Sequence, residues 1–171
     1  QPGPRYAEEA DGTSAVWVQA GPSGWLTDHE PLAEFVPVST TAGFSHQIGP
    51  GRLAWRVSLA ETGGTDATRF LSLDFIGVER VYSTGLINPF LGVAFGMSLD
   101  LKAQRLSIGD DGYFNKSNGA TGGLAVTSLA GTDVRLTSRM FLRVEARVRA
   151  YGGAGRTGVV WTAQSGLGFD L

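Results

Sequence analysis

The chain has 171 residues, with 14 basic and 16 acidic side chains, a formal net charge of −2 and no cysteine. This length fits one domain or one small barrel, and the nearly balanced charge argues against nucleic acid as a partner. The lack of cysteine excludes disulfides, zinc–thiolate sites and thiol catalysis. No apolar run reaches the roughly 18 residues of a transmembrane helix, so crossing a membrane would require strands.

Apolar residues alternate with small or polar residues in eight segments. Helical apolar positions recur three and four residues apart, so this period of two predicts strands. In chain order the predicted strands span residues 14–21, 35–46, 52–61, 68–82, 88–103, 121–137, 139–152 and 158–171. Residues 1–13 contain Pro2, Pro4 and three acidic side chains without alternation. We therefore predict an N-terminal tail at residues 1–13, followed by a barrel at residues 14–171.

The alternation is most regular in the fifth and seventh predicted strands. One face of the fifth strand carries Leu91, Val93, Phe95, Met97, Leu99 and Leu101, and one face of the seventh carries Met140, Leu142, Val144, Ala146, Val148 and Ala150. The opposite faces carry Gly92, Ala94, Gly96 and Ser98 on the fifth strand, and Arg143, Glu145, Arg147 and Arg149 on the seventh. Successive side chains point to opposite sides of a strand, so each strand separates an apolar face from a small or charged one.

The small and charged faces indicate the inside of the predicted barrel. Small residues fit the narrow interior of an eight-stranded barrel, and arginines buried there can pair with Asp74, Glu79, Asp100 and Asp133 of other strands. We predict an interior polar network of Arg143, Glu145, Arg147 and Asp100, with the large apolar residues facing lipid. The alternative is a soluble barrel of the lipocalin-like or avidin-like type, with an apolar interior and solvated charges outside.

The chain ends in QSGLGFDL, which places Gln164, Gly166, Phe169 and Leu171 in an order that resembles the C-terminal assembly signal of outer-membrane barrels. With the PFLGVAFGMSLDL and FLRVEARVRAY strands, this ending makes residues 14–171 similar to the OmpA transmembrane and OmpX-like barrel proteins. The resemblance implies an eight-stranded antiparallel up-and-down transmembrane β-barrel in the bacterial outer membrane. Its expected partners are outer-membrane lipid and, during biogenesis, the barrel assembly machinery. The even strand count and the alternation of long and short connections predict that both termini are periplasmic.

The sequence indicates no catalytic, metal or cofactor site. His29 lies beside Asp28 and Glu30 in a predicted loop, without further ligands at a defined spacing. Ser45 directly precedes His46, so the two side chains should project to opposite faces of a strand, which disfavours a shared hydrolase triad. The DDGYFNKSNG segment offers oxygen ligands but lacks the spacing of a calcium-binding EF-hand. We therefore predict that the protein is not an enzyme and has no cofactor.

The predicted function is a structural or interaction role, as a membrane anchor or a subunit of an envelope complex. Segments 22–34 and 104–120 fall at the same end of the predicted barrel and contain Trp25, Tyr113 and Phe114. Aromatic residues of this kind anchor protein interfaces, so these three are candidates for contact with another envelope protein. The barrel exterior is a second candidate surface. The alternatives are a small pore for ions or small molecules and a lipid-modifying barrel enzyme.

Overall fold

The computed structural model describes residues 13–26, 36–48, 53–62, 68–82, 85–102, 106–108, 114–116, 120–153 and 156–171. The strands in these ranges are β1 Ser14–Trp25, β2 Val36–Ile48, β3 Leu53–Thr62, β4 Thr68–Val81, β5 Ile87–Lys102, β6 Leu106–Ile108, β7 Phe114–Lys116, β8 Ala120–Arg135, β9 Met140–Gly153 and β10 Arg156–Asp170. Residues 1–12 of the predicted tail, His29 and Tyr113 lie outside the described residues. Within these ranges no helix is long and apolar enough to cross a membrane.

Eight of these strands close into one barrel in the order β1–β10–β9–β8–β5–β4–β3–β2. All neighbouring strands are antiparallel, and β1 pairs with both β2 and β10, so the wall has no open edge. The short β6–β7 hairpin forms a separate sheet, and it lies along the chain between β5 and β8, which pair directly in the wall. The predicted eight-stranded antiparallel up-and-down barrel is confirmed.

The two ends of the barrel differ in their connections. One end, here called the short-turn end, carries the first residue of β1, the last residue of β10 and the connections at residues 49–52, 82–86 and 136–139. The opposite end, here called the loop end, carries the connections at residues 26–35, 63–67, 103–119 and 154–155. Gly85 in one short turn has a φ of 102°, a left-handed conformation that glycine adopts without steric cost.

Two segments predicted as loops contain strand. The last three residues of β1 pair with residues 160–162 of β10, so the strand continues to Trp25. Pro22 is tolerated because the pairing of β1 with β2 shifts between Gly21 and Ser23, where a proline leaves no ladder hydrogen bond unmade. The predicted loop at residues 104–120 contains the β6–β7 hairpin. Trp25 therefore belongs to the barrel wall and not to a loop, whereas Phe114 lies in a hairpin within the predicted loop.

The barrel has an apolar exterior and a largely polar interior. Val93 is 49% exposed on β5, whereas Ser98 of the same strand is 1% exposed. The other exposed side chains on the apolar faces include Leu91, Phe95, Met97, Val144 and Val148, and the buried polar residues include Asp74, Glu79, Arg143, Glu145, Arg147 and Arg149. A soluble barrel has the reverse distribution, so the soluble alternative is wrong. Hydrocarbon is the environment that such a continuous apolar wall fits.

Large rings fill the interior, and each lies against a glycine of the next strand. Trp17 is paired directly with Gly43, Phe90 with Gly131, Phe141 with Gly168 and Tyr151 with Gly158. A Cβ atom at each of these glycines would overlap the ring of its partner. The 25 glycines of the chain thus include positions where the absence of a side chain makes room for an interior ring.

A bulge in β4 sets which carboxylates enter the interior. Asp74 and Glu79 are five residues apart, so a regular strand would place them on opposite faces. The pairing of β4 with β5 shifts between Asp74 and Ile76, and both Phe75 and Ile76 face outward. This extra outward residue changes the phase of the alternation. As a result Asp74 and Glu79 are both buried, at 0% and 2% exposure.

Candidate functional site

The interior polar network is centred on Arg143 of β9. Its guanidinium donates to Glu79 Oε2 at 2.5 Å, to Glu145 Oε2 at 3.0 Å and to Asp133 Oδ2 at 3.3 Å. Arg143 is 1% exposed, so these contacts form away from water. A buried charge is tolerated only when it is paired and hydrogen-bonded, and these carboxylates from β4, β8 and β9 supply that pairing.

Aromatic rings complete the surroundings of Arg143. The guanidinium carbon lies 3.9 Å from the ring centroid of Phe90 and 4.4 Å from that of Trp17. Both rings are fully buried, and their π faces attract a cation in the way that a carboxylate does, without adding charge. Arg143 thereby links β1, β4, β5 and β8 to β9 across the barrel lumen.

Glu145 joins Arg143 to the next arginine along β9. One carboxylate oxygen accepts from Arg143 Nε, and the other accepts from Arg147 Nε. Arg147 Nη2 also donates to Gln19 Oε1 of β1 at 3.4 Å. The structure thus brings together three of the four residues of the predicted network.

The fourth predicted member, Asp100, is described only in its backbone, which pairs with Phe70 of β4 and Thr121 of β8. Its side chain lies outside the described part of the structure.

A second cluster lies around Arg149, nearer the loop end. Arg149 Nη2 donates to Asp74 Oδ2 at 2.7 Å, Nε donates to Thr127 Oγ1 at 2.9 Å and Nη1 donates to Ser72 Oγ. Thr127 Oγ1 in turn donates to Asp74 Oδ1 at 3.0 Å. The predicted network left out Arg149, although its place on the charged face of the seventh predicted strand was the signal that could have included it.

A chain of neutral hydrogen bonds crosses the seam where the barrel closes. Gln164 of β10 accepts from Thr41 Oγ1 at 2.7 Å and donates to Ser39 Oγ at 2.8 Å. Ser39 Oγ donates to the carbonyl oxygen of Gly21 at 2.8 Å. These bonds connect β10, β2 and β1, so Gln164 has a structural place inside the barrel.

The other residues of the C-terminal motif lie around the same seam. Phe169 and Leu171 face outward and are 48% and 75% exposed. At Gly166 a Cβ atom would overlap the backbone of β1 at Val18 and Gln19, so β1 and β10 approach too closely there for any side chain. Recognition of these residues by the assembly machinery stays a prediction.

The candidate hydrolytic residues are separated by the wall. Ser45 is buried on the inner face, whereas His46 is exposed on the outer face, as the alternation predicts. His46 Nδ1 instead lies 2.9 Å from Ser14 Oγ at the short-turn end. Within the described ranges, no carboxylate contacts His46 and no group of three metal-ligating side chains occurs.

The closed wall, the polar interior and the apolar exterior define the class: the fold is that of eight-stranded transmembrane β-barrels. Neisserial surface protein A has this fold, with a TM-score of 0.72 at 11% identity over 94% of this chain and 100% of that chain. The Ail attachment invasion locus protein of Yersinia pestis gives a TM-score of 0.62 at 12% identity over 94% and 99%. The N-terminal β-barrel domain of Pseudomonas aeruginosa OprF gives 0.60 at 14% identity over 94% and 100%. No family model and no curated protein matches the chain.

Proposed function

We propose that this protein is a closed outer-membrane anchor that acts by contact, with both termini in the periplasm. The observation that carries the proposal is the filled lumen. Arg143 spans the interior between two rings and three carboxylates, and Phe141 is a third buried ring near the short-turn end. A steady aqueous path would require these groups to separate, and an unpaired charge in a dry interior is very costly.

The short-turn end is closed further by an ion pair. Arg135 of β8 pairs with Asp170 of β10, across the intervening strand β9. The guanidinium of Arg135 also lies 5.8 Å from the ring centroid of Phe141. Because Phe141 packs on Gly168, these groups connect β8, β9 and β10 at the short-turn end. This arrangement supports an anchoring role over conduction.

The loop end supports a contact role. Leu26 is 59% exposed there, and its backbone N–H donates to the Val159 carbonyl at 2.8 Å, so an apolar side chain is held firmly at the rim. The β6–β7 hairpin belongs to the connection between β5 and β8 at the same end. We propose these features, with Trp25, Tyr113 and Phe114, as the contact surface for another envelope protein. The fold is compatible with such a role, since Ail, named for attachment and invasion, shares it.

The first test combines membrane insertion and conductance. After detergent extraction from outer membranes, the folded barrel should run differently on a denaturing gel before and after heating. In planar bilayers the inserted barrel should show no steady single-channel current, with a porin in the same bilayers as the positive control. Steady current from the inserted barrel would contradict the anchor proposal and favour the pore.

The contact surface and the absence of catalysis are tested separately. Replacing Tyr113 and Phe114 by Ser should preserve the heat-dependent gel shift and weaken binding to any envelope partner recovered by cross-linking. Full binding by that variant would contradict the proposal that the loop end is the contact surface.

We also propose that the Ser14–His46 contact is structural, so labelled phospholipid should stay intact with the wild-type barrel. Hydrolysis that is lost in His46→Ala would contradict this.

A further inference from the structure

Arg80 is a cation on the lipid-facing side of the wall. It is the penultimate residue of β4, lies at an exposed position, and pairs across the sheet with Leu53 and Leu91. Its outward neighbours Val78 and Leu91 are 43% and 57% exposed. Among wall residues whose side chains the structure describes, Arg80 is the one Lys or Arg on the exterior.

Arg80 also differs from the other arginines of the described wall in its partners. Arg135, Arg143, Arg147 and Arg149 each pair with a carboxylate. In the same described ranges Arg80 has no carboxylate partner, and its contact is with an aromatic ring. Within the described ranges, the five N–H donors of the Arg80 guanidinium are therefore not taken up by a carboxylate.

The contact with Tyr82 fixes the direction of the guanidinium. The guanidinium carbon lies 5.3 Å from the ring centroid of Tyr82, which follows β4 directly at the short-turn end. Arg80 therefore extends toward the end of the barrel and away from the middle of the membrane. Arginine near a membrane interface commonly buries its aliphatic stem and brings its charge to the headgroup level in this way. Tyr82 is 46% exposed, and tyrosine is itself enriched at this level.

At the headgroup level of a membrane, the available anion is the phosphate of the phospholipids. A guanidinium matches phosphate oxygens with two parallel hydrogen bonds, and the adjacent phenol hydroxyl adds a donor. We propose that Arg80 and Tyr82 bind the phosphate of an anionic phospholipid in the leaflet at the short-turn end. This inference rests on the proposed membrane anchoring and orientation, because it requires the short-turn end to lie at a lipid interface.

The cysteine-free chain permits a direct test by placing one fluorophore beside the site. Leu91→Cys, on the outer face next to Arg80, is labelled and the barrel is inserted into phosphatidylcholine vesicles. Phosphatidylglycerol or phosphatidylcholine with a quencher on the headgroup is then titrated in. We expect phosphatidylglycerol to quench at a mole fraction about fivefold lower, since one arginine near an anionic surface contributes on that scale. High salt should reduce the difference.

Three variants separate a site from general charge attraction. Arg80→Gln should remove the preference, and Arg80→Lys should retain part of it because the charge stays but the bidentate geometry is lost. Arg139→Gln is the matched control, since Arg139 is exposed in a turn at the same end. It should preserve the preference. The heat-dependent gel shift confirms that each variant is folded.

The outcomes are distinguishable. Equal quenching by both lipids in a folded, inserted barrel would overturn the lipid site and leave the anchor proposal standing. Equal loss of preference in Arg80→Gln and Arg139→Gln would also overturn the site, because the attraction would then be general. Displacement by millimolar inorganic phosphate would show that the groups take free phosphate, which contradicts the lipid assignment. A barrel that does not insert at all would overturn both proposals.

Discussion

Glu145 is the residue whose removal should most clearly test the interior network. Both of its carboxylate oxygens are engaged, one by Arg143 and one by Arg147, and it is 2% exposed. Arg143 keeps Glu79 and Asp133 when Glu145 is neutralised. Arg147 keeps a contact of 3.4 Å with Gln19, which is neutral. Neutralising Glu145 therefore removes one carboxylate contact from each of the two arginines.

The substitution Glu145→Gln keeps the size of the side chain and removes its charge. We expect it to lower the free energy of unfolding by about 3–5 kcal/mol, the range for removing one partner of a buried ion pair. The matched control is Asp133→Asn. Asp133 is 15% exposed and its contact with Arg143 is longer, at 3.3 Å, so water can replace part of the lost interaction. We expect a cost of about 1 kcal/mol there.

The assay is urea-induced unfolding of the barrel in vesicles of fixed composition. Tryptophan fluorescence and the heat-dependent gel shift should report the same transition, since one of the four tryptophans, Trp17, packs against Arg143. Combining Glu145→Gln with Arg147→Gln should recover part of the loss, because one of the two cations that contact Glu145 is then removed together with the anion. A loss below about 1 kcal/mol for Glu145→Gln, or no recovery in the double variant, would refute the reasoning.

Two further predictions concern the wall. Val144→Arg on the lipid-facing side should lower the free energy of unfolding by about 2–4 kcal/mol in the same assay, and an unchanged stability would contradict the lipid-facing assignment. Gly43→Ala should cost about 1–3 kcal/mol because the Trp17 ring must shift, as measured by unfolding and by a change in tryptophan emission. Gly166→Ala should lower the free energy of unfolding further, because the new Cβ meets the backbone at Val18 and a paired strand shifts less easily than a side-chain ring. A milder effect at Gly166 than at Gly43 would contradict this ranking.

The period of two predicts which side chains enter the barrel wherever a strand is regular. It separates Val93 from Ser98 on β5 and Val144 from Arg143 on β9, and the structure places each on the expected side. Alternation is a local property of the sequence, so the assignment of a side chain to one face stays correct even where the predicted strand ends are several residues off. The contrast between small or charged inner faces and large apolar outer faces then distinguishes a membrane barrel from a soluble one.

The pairing inside the barrel could not be predicted in the same way. Which carboxylate meets which arginine depends on register between strands, and register depends on turns and bulges. Asp74 and Glu79 are both inside, as predicted, but regular alternation would separate them, and only the extra outward residue in β4 brings both to the interior. The extension of β1 past Pro22 cannot be read from the sequence for a related reason: a proline usually interrupts a strand, and an irregularity in the pairing accommodates it here.

The interior and exterior of this barrel are coupled through that bulge. Placing Phe75 and Ile76 together on the outside adds apolar surface toward lipid, and it also turns Asp74 toward Arg149 while Glu79 remains facing Arg143. Each arginine would otherwise lack one of its carboxylates in a space too narrow for bulk water. The same pairings join β4 to β9, which are not neighbours in the wall, so they brace the barrel across its lumen. Opening the lumen would require these ion pairs to separate, so the bracing supports the proposed anchor over the pore.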